Sequence, residues 1–347
     1  MSAPKPIQII GGGLAGLTLG IALRRLDIPV TILEAGHYPR HRVCGEFISG
    51  RGQATLARLG LRQLVDAAGA VNAQTVAFHS ATKSSPPQRL PVSAICVSRF
   101  ALDAALAKLF RELGGELCEG RRTPTENIGE GCIRATGRSA RTEASGARWF
   151  GLKIHARNVA LTADLEMHFS PRGYVGLCKI NGDEVNICGL FRKGASEIGE
   201  AKHGREFLRG PAGSPLYQRL ANAVFDEDSL CAVAGLSLEP RQALTRTELC
   251  LGDAITMIPP VTGNGMSMAF ESAELAVAPL AAWSRGKAAW SEVHQKIARD
   301  CDTLFACRLA WAKWLQQLAL TPRLQNPLLA IAARSNWFCR TAFELTR

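Results

Sequence analysis

The chain has 347 residues, of which 47% are apolar and 20% charged, a composition typical of a globular protein that excludes an extensively disordered one. Its formal charge of +11 comes from dispersed basic residues with no nucleic-acid-binding motif among them, so we predict an attraction for anionic cofactors, substrates or surfaces and no nucleic-acid partner. The lack of a signal peptide, of a membrane-spanning apolar run and of C-x-x-C or Cys/His metal spacing among the 11 cysteines predicts a cytoplasmic protein with reduced thiols and no metal site.

The opening of the chain, residues 6–36, has the pattern of a nucleotide-binding unit. Gly11, Gly13 and Gly16 follow a short apolar strand in G-x-G-x-x-G spacing at the start of a predicted helix. The free amides and positive dipole end of that helix suit phosphates, and Glu34, which ends the next strand, suits the hydroxyls of an adenosine ribose. The pattern predicts an FAD or NAD site rather than an NADP site or a purely structural turn, with contacts from Gly11, Gly13, Leu14, Ala15, Gly16, Glu34 and Ala35.

The loop that follows this unit is rich in glycine, arginine and histidine. In a nucleotide-binding unit it lies on the ligand side of the sheet, so Arg40 and Arg42 are candidates for contacts with phosphate or ribityl oxygens. We expect the turn Cys44-Gly45-Glu46 to pass close to a cofactor ring. A solvated loop with incidental charges is the alternative interpretation.

Two helices and a strand pair are predicted next. Residues 51–69 have a helical apolar face, residues 71–90 resemble two strands around a polar turn, and a second helix begins at Arg99. A cation at the positive end of a helix is unfavourable unless it has an anionic partner such as phosphate, although a surface arginine is the alternative. A buried strand near residue 133 then ends in a small-residue turn at Gly137, where a backbone can approach a ligand.

Alternating apolar and polar residues over 149–191 predict antiparallel strands of a second sheet. In the first of them Lys153 and His155 share one face, which we expect to line a cavity, while the intervening apolar residues share the other face. Taken singly, a histidine of this kind is more often structural than catalytic. Residues 192–230 are predicted to be mixed helix and loop.

A second strand, turn and helix start lies near Asp253. An apolar strand ends there, a double-proline turn follows, and Gly263-Asn264-Gly265 opens a long helix. The positive end of such a helix is suited to a delocalised anion such as a reduced isoalloxazine ring.

In their order along the chain, these motifs resemble those of the FAD-dependent oxidoreductases of the aromatic-hydroxylase (p-hydroxybenzoate hydroxylase-like) and geranylgeranyl-reductase superfamily. The resemblance covers most of residues 5–285 and includes the PRHRVCGE loop and the segment GDAITMIPPVTGNGMSMA. It implies an α/β fold with a Rossmann-like FAD-binding domain of the glutathione-reductase type, an inserted antiparallel-sheet substrate domain and a helical C-terminal tail. The implied domains are residues 1–75, 96–148 and 240–284 for FAD, 76–95 and 149–239 for substrate, and 285–347 for the tail.

The resemblance also implies particular flavin contacts. Asp253 would contact the ribityl chain, Arg99 would lie beside the pyrophosphate and ribityl region, and Gly137 would belong to the same site. The helix start facing the pyrimidine edge of the ring would be formed by Pro260, Gly263, Asn264, Gly265 and Met266. No Trp-x-Trp-x-Ile-Pro motif is present, which disfavours a halogenase, and the isoprenoid-reductase signature near GYVGLCKI is incomplete.

Residues 285–347 are basic and rich in tryptophan. Apolar residues in helical spacing, among them Val293, Ile297, Leu304 and Trp311, predict helices that pack across the flavin domain or against another subunit. The alternative is a set of amphipathic helices lying on the inner face of an anionic membrane.

The pattern as a whole predicts an FAD-dependent monooxygenase that hydroxylates an apolar or aromatic secondary metabolite, such as a polyketide or prenyl compound, with NAD(P)H as transient reductant. Because there is one nucleotide fingerprint, nicotinamide visits transiently or a separate reductase supplies the flavin. His155, Cys44 and Tyr174 are candidates for the surroundings of the reacting centre. The alternatives are an oxygen-independent flavin reductase or dehydrogenase acting on a carbon–carbon bond of a prenyl, polyketide or carrier-bound substrate, and a catalytically silent nucleotide-binding or membrane-surface protein.

Overall fold

A computed structural model describes residues 3–122, 129–138, 148–193, 204–321, 323–327 and 336–345 of the chain. The predicted tail, 285–347, therefore lies partly outside the described residues. Also outside them are residues 139–147 of the predicted FAD segment 96–148 and residues 194–203 of the predicted substrate segment 149–239.

A four-stranded parallel sheet forms the first layer of the structure. Its strands, in order across the sheet, are β6 (Glu116–Cys118), β2 (Val30–Leu33), β1 (Ile7–Ile10) and β7 (Cys132–Arg134). The apolar residues Ile7, Ile9 and Ile10 of β1 and Val30 and Ile32 of β2 are buried in the core. The helices that cover the sheet and contribute to the largest core are α1 (Leu14–Arg24), α4 (Arg99–Glu112) and α7 (Gly265–Ser284).

The second layer is an eight-stranded sheet, which is antiparallel except for one pair. Across the sheet the strands are β12 (Val224–Leu236), β8 (Arg148–Arg157), β11 (Val185–Lys193), β10 (Gly173–Lys179), β9 (Leu165–Ser170), β4 (Val71–His79), β5 (Gln88–Cys96) and β3 (Phe47–Ile48). Among the described strands of this sheet, only β4 and β9 pair in parallel. The α/β architecture with a parallel Rossmann-like sheet, an antiparallel sheet and C-terminal helices confirms the predicted fold class.

The two faces of the eight-stranded sheet differ in chemistry, as the alternation in β8 predicted. Ile154 and its apolar neighbours pack against α5 (Gly204–Arg209) and α6 (Pro215–Arg219). Lys153 and His155 point to the opposite face, toward the loop that follows β2, and are buried there.

The C-terminal region is helical, as predicted, with α8 (Trp290–Ala319), a short α9 over 323–327 and α10 (Asn336–Leu345). Val293 and Ile297 are buried against the first core. The same face of α8 carries Arg308, whose guanidinium forms a buried two-point ion pair with Glu271 of α7, Nη2 to Oε2 at 2.6 Å and Nη1 to Oε1 at 3.2 Å. Within the described residues, no helix combines the length and apolarity that crossing a bilayer requires.

Two predicted elements differ from the structure. The helix expected over 51–69 is split into α2 (Gly50–Arg58) and α3 (Arg62–Ala67), because Gly60 adopts a left-handed φ of 62° that ends the first helix. Strand β12 begins at Val224, within the stretch expected to be helix and loop. It is an edge strand with bulges and largely exposed residues, so it lacks the apolar alternation that identifies a half-buried strand.

Candidate cofactor and substrate site

The glycine turn, residues 11–16, connects β1 to α1. Gly11 has a φ of 109°, and a Cβ there would overlap the carbonyl of Ala135. A Cβ on Gly16 would overlap the carbonyl of Gly11, so this glycine allows the helix to lie close to the turn. A Cβ on Gly13 has no heavy atom of the described residues within 4 Å beyond its chain neighbours. Two glycines are therefore required by the fold, and the third borders open space where a ligand can approach the backbone.

The start of α1 has the properties of an anion site. Gly13 is its N-cap and supplies no side-chain hydrogen bond, and the first turn contains no acidic residue. Leu14 and Ala15 are buried, which fixes this turn against the core. The unpaired amides and the positive dipole end of the helix are thus available to phosphate oxygens.

Glu34 lies at the carboxyl end of β2 and is almost fully buried. Its Oε2 accepts a hydrogen bond from the Gly12 amide at 2.8 Å, and its Oε1 accepts one from the Gly36 amide at 2.8 Å and another from Arg40. Burial raises the pKa of Glu34, but the Gly36 amide and the charges of Arg40 and Arg42 outweigh burial and lower it below its ordinary value. The carboxylate is therefore ionised and rigidly placed beside the glycine turn.

Three arginines predicted at the cofactor site are held by protein carboxylates. Arg99 forms a two-point ion pair with the buried Asp103, one turn later in α4, with Nε–Oδ1 at 2.7 Å and Nη2–Oδ2 at 2.8 Å. Arg42 shares Asp103, with Nε–Oδ2 at 3.3 Å, and Arg40 pairs with Glu34. Asp103 is therefore the anionic partner of Arg99, where the sequence predicted a phosphate. Sequence reasoning missed it because a single aspartate within a helix is not distinctive.

Asp253 and Gly137 lie at the same end of the parallel sheet. The segment before Asp253 is extended beside β7, with hydrogen bonds between Arg134 and residues 249 and 251. Burial raises the pKa of Asp253, against the opposing charges of Arg138 and Arg99. Gly137 has a φ of 74°, and a Cβ there has no described heavy atom within 4 Å beyond its chain neighbours.

The start of α7 is positioned by tight contacts to β3 and to Ser49, which precedes α2. Gly263 has a φ of 65°, and a Cβ on it would come within 2.7 Å of the Phe47 ring. Asn264 is fully buried and its Oδ1 accepts a hydrogen bond from Ser49 Oγ at 3.1 Å. Gly265 and Met266 begin the helix, whose first turn contains no acidic residue. This is the second helix start that offers amides and a positive dipole end.

Residues 43–47, the Glu46 loop, are anchored by the carboxylate of Glu46, whose buried partners the sequence did not predict. Glu46 is fully buried and has a φ of 55°, a left-handed conformation that is strained for a residue other than glycine. Its Oε1 accepts a hydrogen bond from the Arg99 amide at 2.8 Å, and its Oε2 lies 2.8 Å from His155 Nε2. Lys153 Nζ lies 3.5 Å from Oε1. Glu46 therefore joins the loop to the start of α4 and to β8.

The groups around Glu46 offset the effect of burial on its pKa. Burial raises its pKa, but the hydrogen bond from His155 and the charge of Lys153 outweigh burial and lower it. Lys153 Nζ continues to His41 Nδ1 at 3.0 Å, and the His41 ring stacks on Phe100 with centroids 4.5 Å apart. The network thus runs from a half-buried histidine to a fully buried carboxylate and His155.

A cavity of about 360 Å³ lies between the Glu46 loop, the residues before α7 and the eight-stranded sheet. Cys44, Gly45 and Pro260 belong to its wall, whereas His155 lies behind the loop and does not. Tyr174 also lines it. The Tyr174 hydroxyl is buried without a hydrogen-bond partner among the described residues, and burial raises its pKa well above the ordinary value. The rest of the lining is mainly apolar, including Val43, Phe47, Val76, Phe78, Leu90, Met167, Phe169, Leu190, Val261, Leu315 and Leu318.

Comparison with known proteins places this fold among flavin enzymes. No protein-family model matches the sequence, and no curated protein is similar to it in sequence. Solved structures nevertheless match along the whole length. The flavin-dependent brominase Bmp2 superposes with a TM-score of 0.71 at 18% identity, covering 99% of this chain and 98% of that one.

Two monooxygenase structures match as well. For p-nitrophenol 4-monooxygenase PnpA from Pseudomonas putida DLL-E4, the TM-score is 0.77 at 14% identity, covering 100% of this chain and 97% of that one. For PqsL from Pseudomonas aeruginosa, solved in complex with 2-aminobenzoylacetate, it is 0.70 at 15% identity, covering 95% and 100%. The chain therefore has the fold that FAD-dependent monooxygenases and flavin-dependent halogenases share, as the motif resemblance predicted.

Proposed function

We propose that the chain is an FAD-dependent monooxygenase that hydroxylates a small apolar or aromatic molecule. One observation carries the proposal. One cavity joins the loop that follows β2 of the parallel sheet, the residues before α7 and the face of the eight-stranded sheet that carries Phe78, Met167 and Tyr174. A cofactor held along the parallel sheet and a substrate held against the antiparallel one would therefore meet in the same enclosed space.

The residues at the end of the parallel sheet fit FAD. Open space beside Gly13 and Gly137 lets a ligand approach the backbone, and the first turns of α1 and α7 carry no acid that would repel an anion. We assign the pyrophosphate to the start of α1 and the adenosine ribose to Glu34. The ribityl and ring contacts are assigned to Arg99, Asp253, Pro260 and residues 263–266.

Bound FAD would supply the redox chemistry, taking hydride from NAD(P)H or electrons from a separate reductase and activating dioxygen. The protein residues would bind FAD and the substrate, orient them and exclude water. The apolar wall keeps water from the reacting atoms, and the Tyr174 hydroxyl orients a polar group of the substrate. Glu46, with His155 and Lys153, holds the loop that carries Cys44 and Gly45.

The size and chemistry of the cavity favour one aromatic metabolite rather than a long chain. A volume of about 360 Å³, which the flavin ring and the substrate would share, lies at the small end of ligand pockets. Among the neighbours, one is named for p-nitrophenol and another contains 2-aminobenzoylacetate, both small aromatic compounds. Halogenases share the fold too, but the halogenase motif Trp-x-Trp-x-Ile-Pro is missing from this sequence, so we assign hydroxylation.

The test begins with the visible spectrum of the purified protein after incubation with FAD and gel filtration. We expect a flavin spectrum at one FAD per chain, and a colourless protein would refute the proposal. A panel of phenols and aryl ketones is then assayed with NAD(P)H, with and without an added flavin reductase, under ¹⁸O₂. We expect the label in the product and no turnover without oxygen, whereas unlabelled product formed anaerobically indicates the reductase alternative. Bromide in the same assay should yield no brominated product.

A further inference from the structure

The face of the eight-stranded sheet opposite the cavity carries a buried group of metal-binding side chains. Parallel pairing of β4 and β9 places His79 directly across from His168, and Ala77 across from Glu166. His79, Glu166 and His168 therefore share one face, while Phe78 and Met167 alternate to the other face and line the cavity, which Glu166 also borders. All three are buried, with exposures of 1%, 0% and 5%.

We propose that His79, Glu166 and His168 bind one divalent transition-metal ion of the zinc type. One ligand atom from each residue can be chosen so that all three lie within 4.8 Å of one another. Glu166 Oε2 lies 2.9 Å from His168 Nε2 and 3.5 Å from His79 Nε2. Ligands around a tetrahedral ion with bonds of about 2.0–2.1 Å are about 3.3 Å apart, so these two distances bracket the spacing that zinc needs.

The hydrogen bonding of His79 points to a ligand as well. Its Nδ1 lies 2.9 Å from Ser84 Oγ, which fixes the orientation of the ring. Its Nε2 is buried and makes no hydrogen bond with any described residue. Histidines that bind metals through one nitrogen commonly hydrogen-bond through the other, and a buried ring nitrogen without a partner is otherwise unfavourable.

Two imidazoles and one carboxylate are ligand types that bind zinc or ferrous iron.

Binding of an ion must change the contacts of the stacked histidine rings and of Arg219. The His79 and His168 rings stack with centroids 4.4 Å apart and an angle of 11°, so one ring must turn to direct its lone pair at a shared ion. Arg219 Nε donates to Glu166 Oε2 at 3.0 Å. A carboxylate oxygen has two lone pairs, so it can keep this bond while the ion replaces the hydrogen bond from His168. Arg219 is partly exposed, and its Nη2 also donates a hydrogen bond to Thr162 Oγ1 at 2.8 Å.

A bound ion would link β4 to β9 directly behind the cavity wall. Residues 79 and 168 are distant in sequence, and their strands form the parallel pair of this sheet. Because Phe78 and Met167 lie on the other side of the same backbone, the ion would hold that part of the wall in place. The site is therefore structural and independent of FAD.

The experiment is a titration of chelator-treated, FAD-free protein with ZnCl₂ at pH 7. Calorimetry measures the binding, and thermal unfolding measures the melting temperature. We expect one equivalent to bind and to raise the melting temperature. His79→Gln and His168→Gln should abolish stoichiometric binding, Ser84→Ala should weaken it about 10–100-fold, and the control His294→Gln should bind like the wild type.

Cobalt(II) separates this site from adventitious binding by cysteines. The Co²⁺ complex should show visible d–d bands without the near-ultraviolet sulfur-to-metal charge transfer of a thiolate ligand. A wild-type protein that takes up no stoichiometric metal overturns the proposal, even if a histidine variant does not fold. So does equal affinity in the wild type and in folded His79→Gln, or a thiolate band in the Co²⁺ complex.

Discussion

The glycine turn and the Glu46 loop are both assigned to the same bound cofactor, but they are held in place differently. The turn is specified by backbone sterics within a few consecutive residues, since Gly11 and Gly16 leave no room for a Cβ. The loop depends on Glu46, whose backbone is strained and whose buried carboxylate contacts α4 and β8. The first kind of site can be recognised from a motif, whereas the second exists only when distant elements have packed.

The largest effect is expected from substitutions in the glycine turn. Gly11→Ala and Gly16→Ala should each lower the free energy of unfolding by about 3 kcal/mol and prevent FAD binding, because strain and overlap displace the helix start. Gly13→Ala is the matched control, since its Cβ meets open space. It should melt like the wild type while FAD affinity, measured by fluorescence titration, falls. Equal loss of stability in all three variants would contradict the steric distinction.

Substitution of Glu46 should lower the free energy of unfolding by a similar amount. Glu46→Gln leaves the charge of Lys153 buried beside a neutral amide, which should cost about 3 kcal/mol in urea unfolding. Glu112→Gln, which changes an exposed acid paired with Lys108, should cost less than about 1 kcal/mol. If the two variants have the same stability, the carboxylate does not anchor the loop.

FAD affinity distinguishes Glu34 from acids that only support the sheet. Glu34→Gln should weaken FAD binding about 10–100-fold, because a hydrogen bond to a charged group contributes about 1.5–3 kcal/mol. Glu116→Gln is the control, since Glu116 accepts a hydrogen bond from Thr31 at the exposed edge of the same sheet. A dissociation constant for Glu34→Gln within about twofold of the wild-type value would exclude the proposed contact with ribose.

The contribution of Glu46 to the stability of the folded protein should decrease as the pH falls. The pKa of Glu46 is lower in the folded protein than its ordinary value of 4.5, so its contribution to stability is complete above pH 4.5 and is lost as the pH falls through the folded pKa. The stability difference between wild type and Glu46→Gln should therefore shrink below pH 4.5. Urea unfolding between pH 7 and pH 3 measures it, and a difference that grows on acidification would contradict the assigned shift.

The smallest effect concerns the cavity. Tyr174→Phe removes a buried hydroxyl without a partner among the described residues, so the stability of the substrate-free protein should change little. The KM of the best phenol or aryl ketone from the panel should rise about tenfold, because the hydroxyl no longer binds its polar group. Tyr217→Phe, at an exposed position, is the control. An unchanged KM would exclude a contact between Tyr174 and the substrate.

The sequence by itself determined the architecture and the glycine turn with Glu34 beside it. Consecutive residues encode the strand, glycine turn, helix and acid at Glu34, because local sterics and apolar periodicity act within a single element. The same holds for Asp253 and the start of α7. The alternation in β8 correctly predicted that Lys153 and His155 would share a face.

The tertiary structure alone decided which distant side chains meet. The pairing of Arg99 with Asp103, the anchoring of the loop by Glu46 and the buried Arg308–Glu271 pair leave no periodic signal, since each depends on how separate elements or turns pack. His79 and His168 gave no metal spacing in the sequence. The parallel register of β4 and β9 places them together, because strand pairing fixes neighbours across a sheet regardless of their separation along the chain.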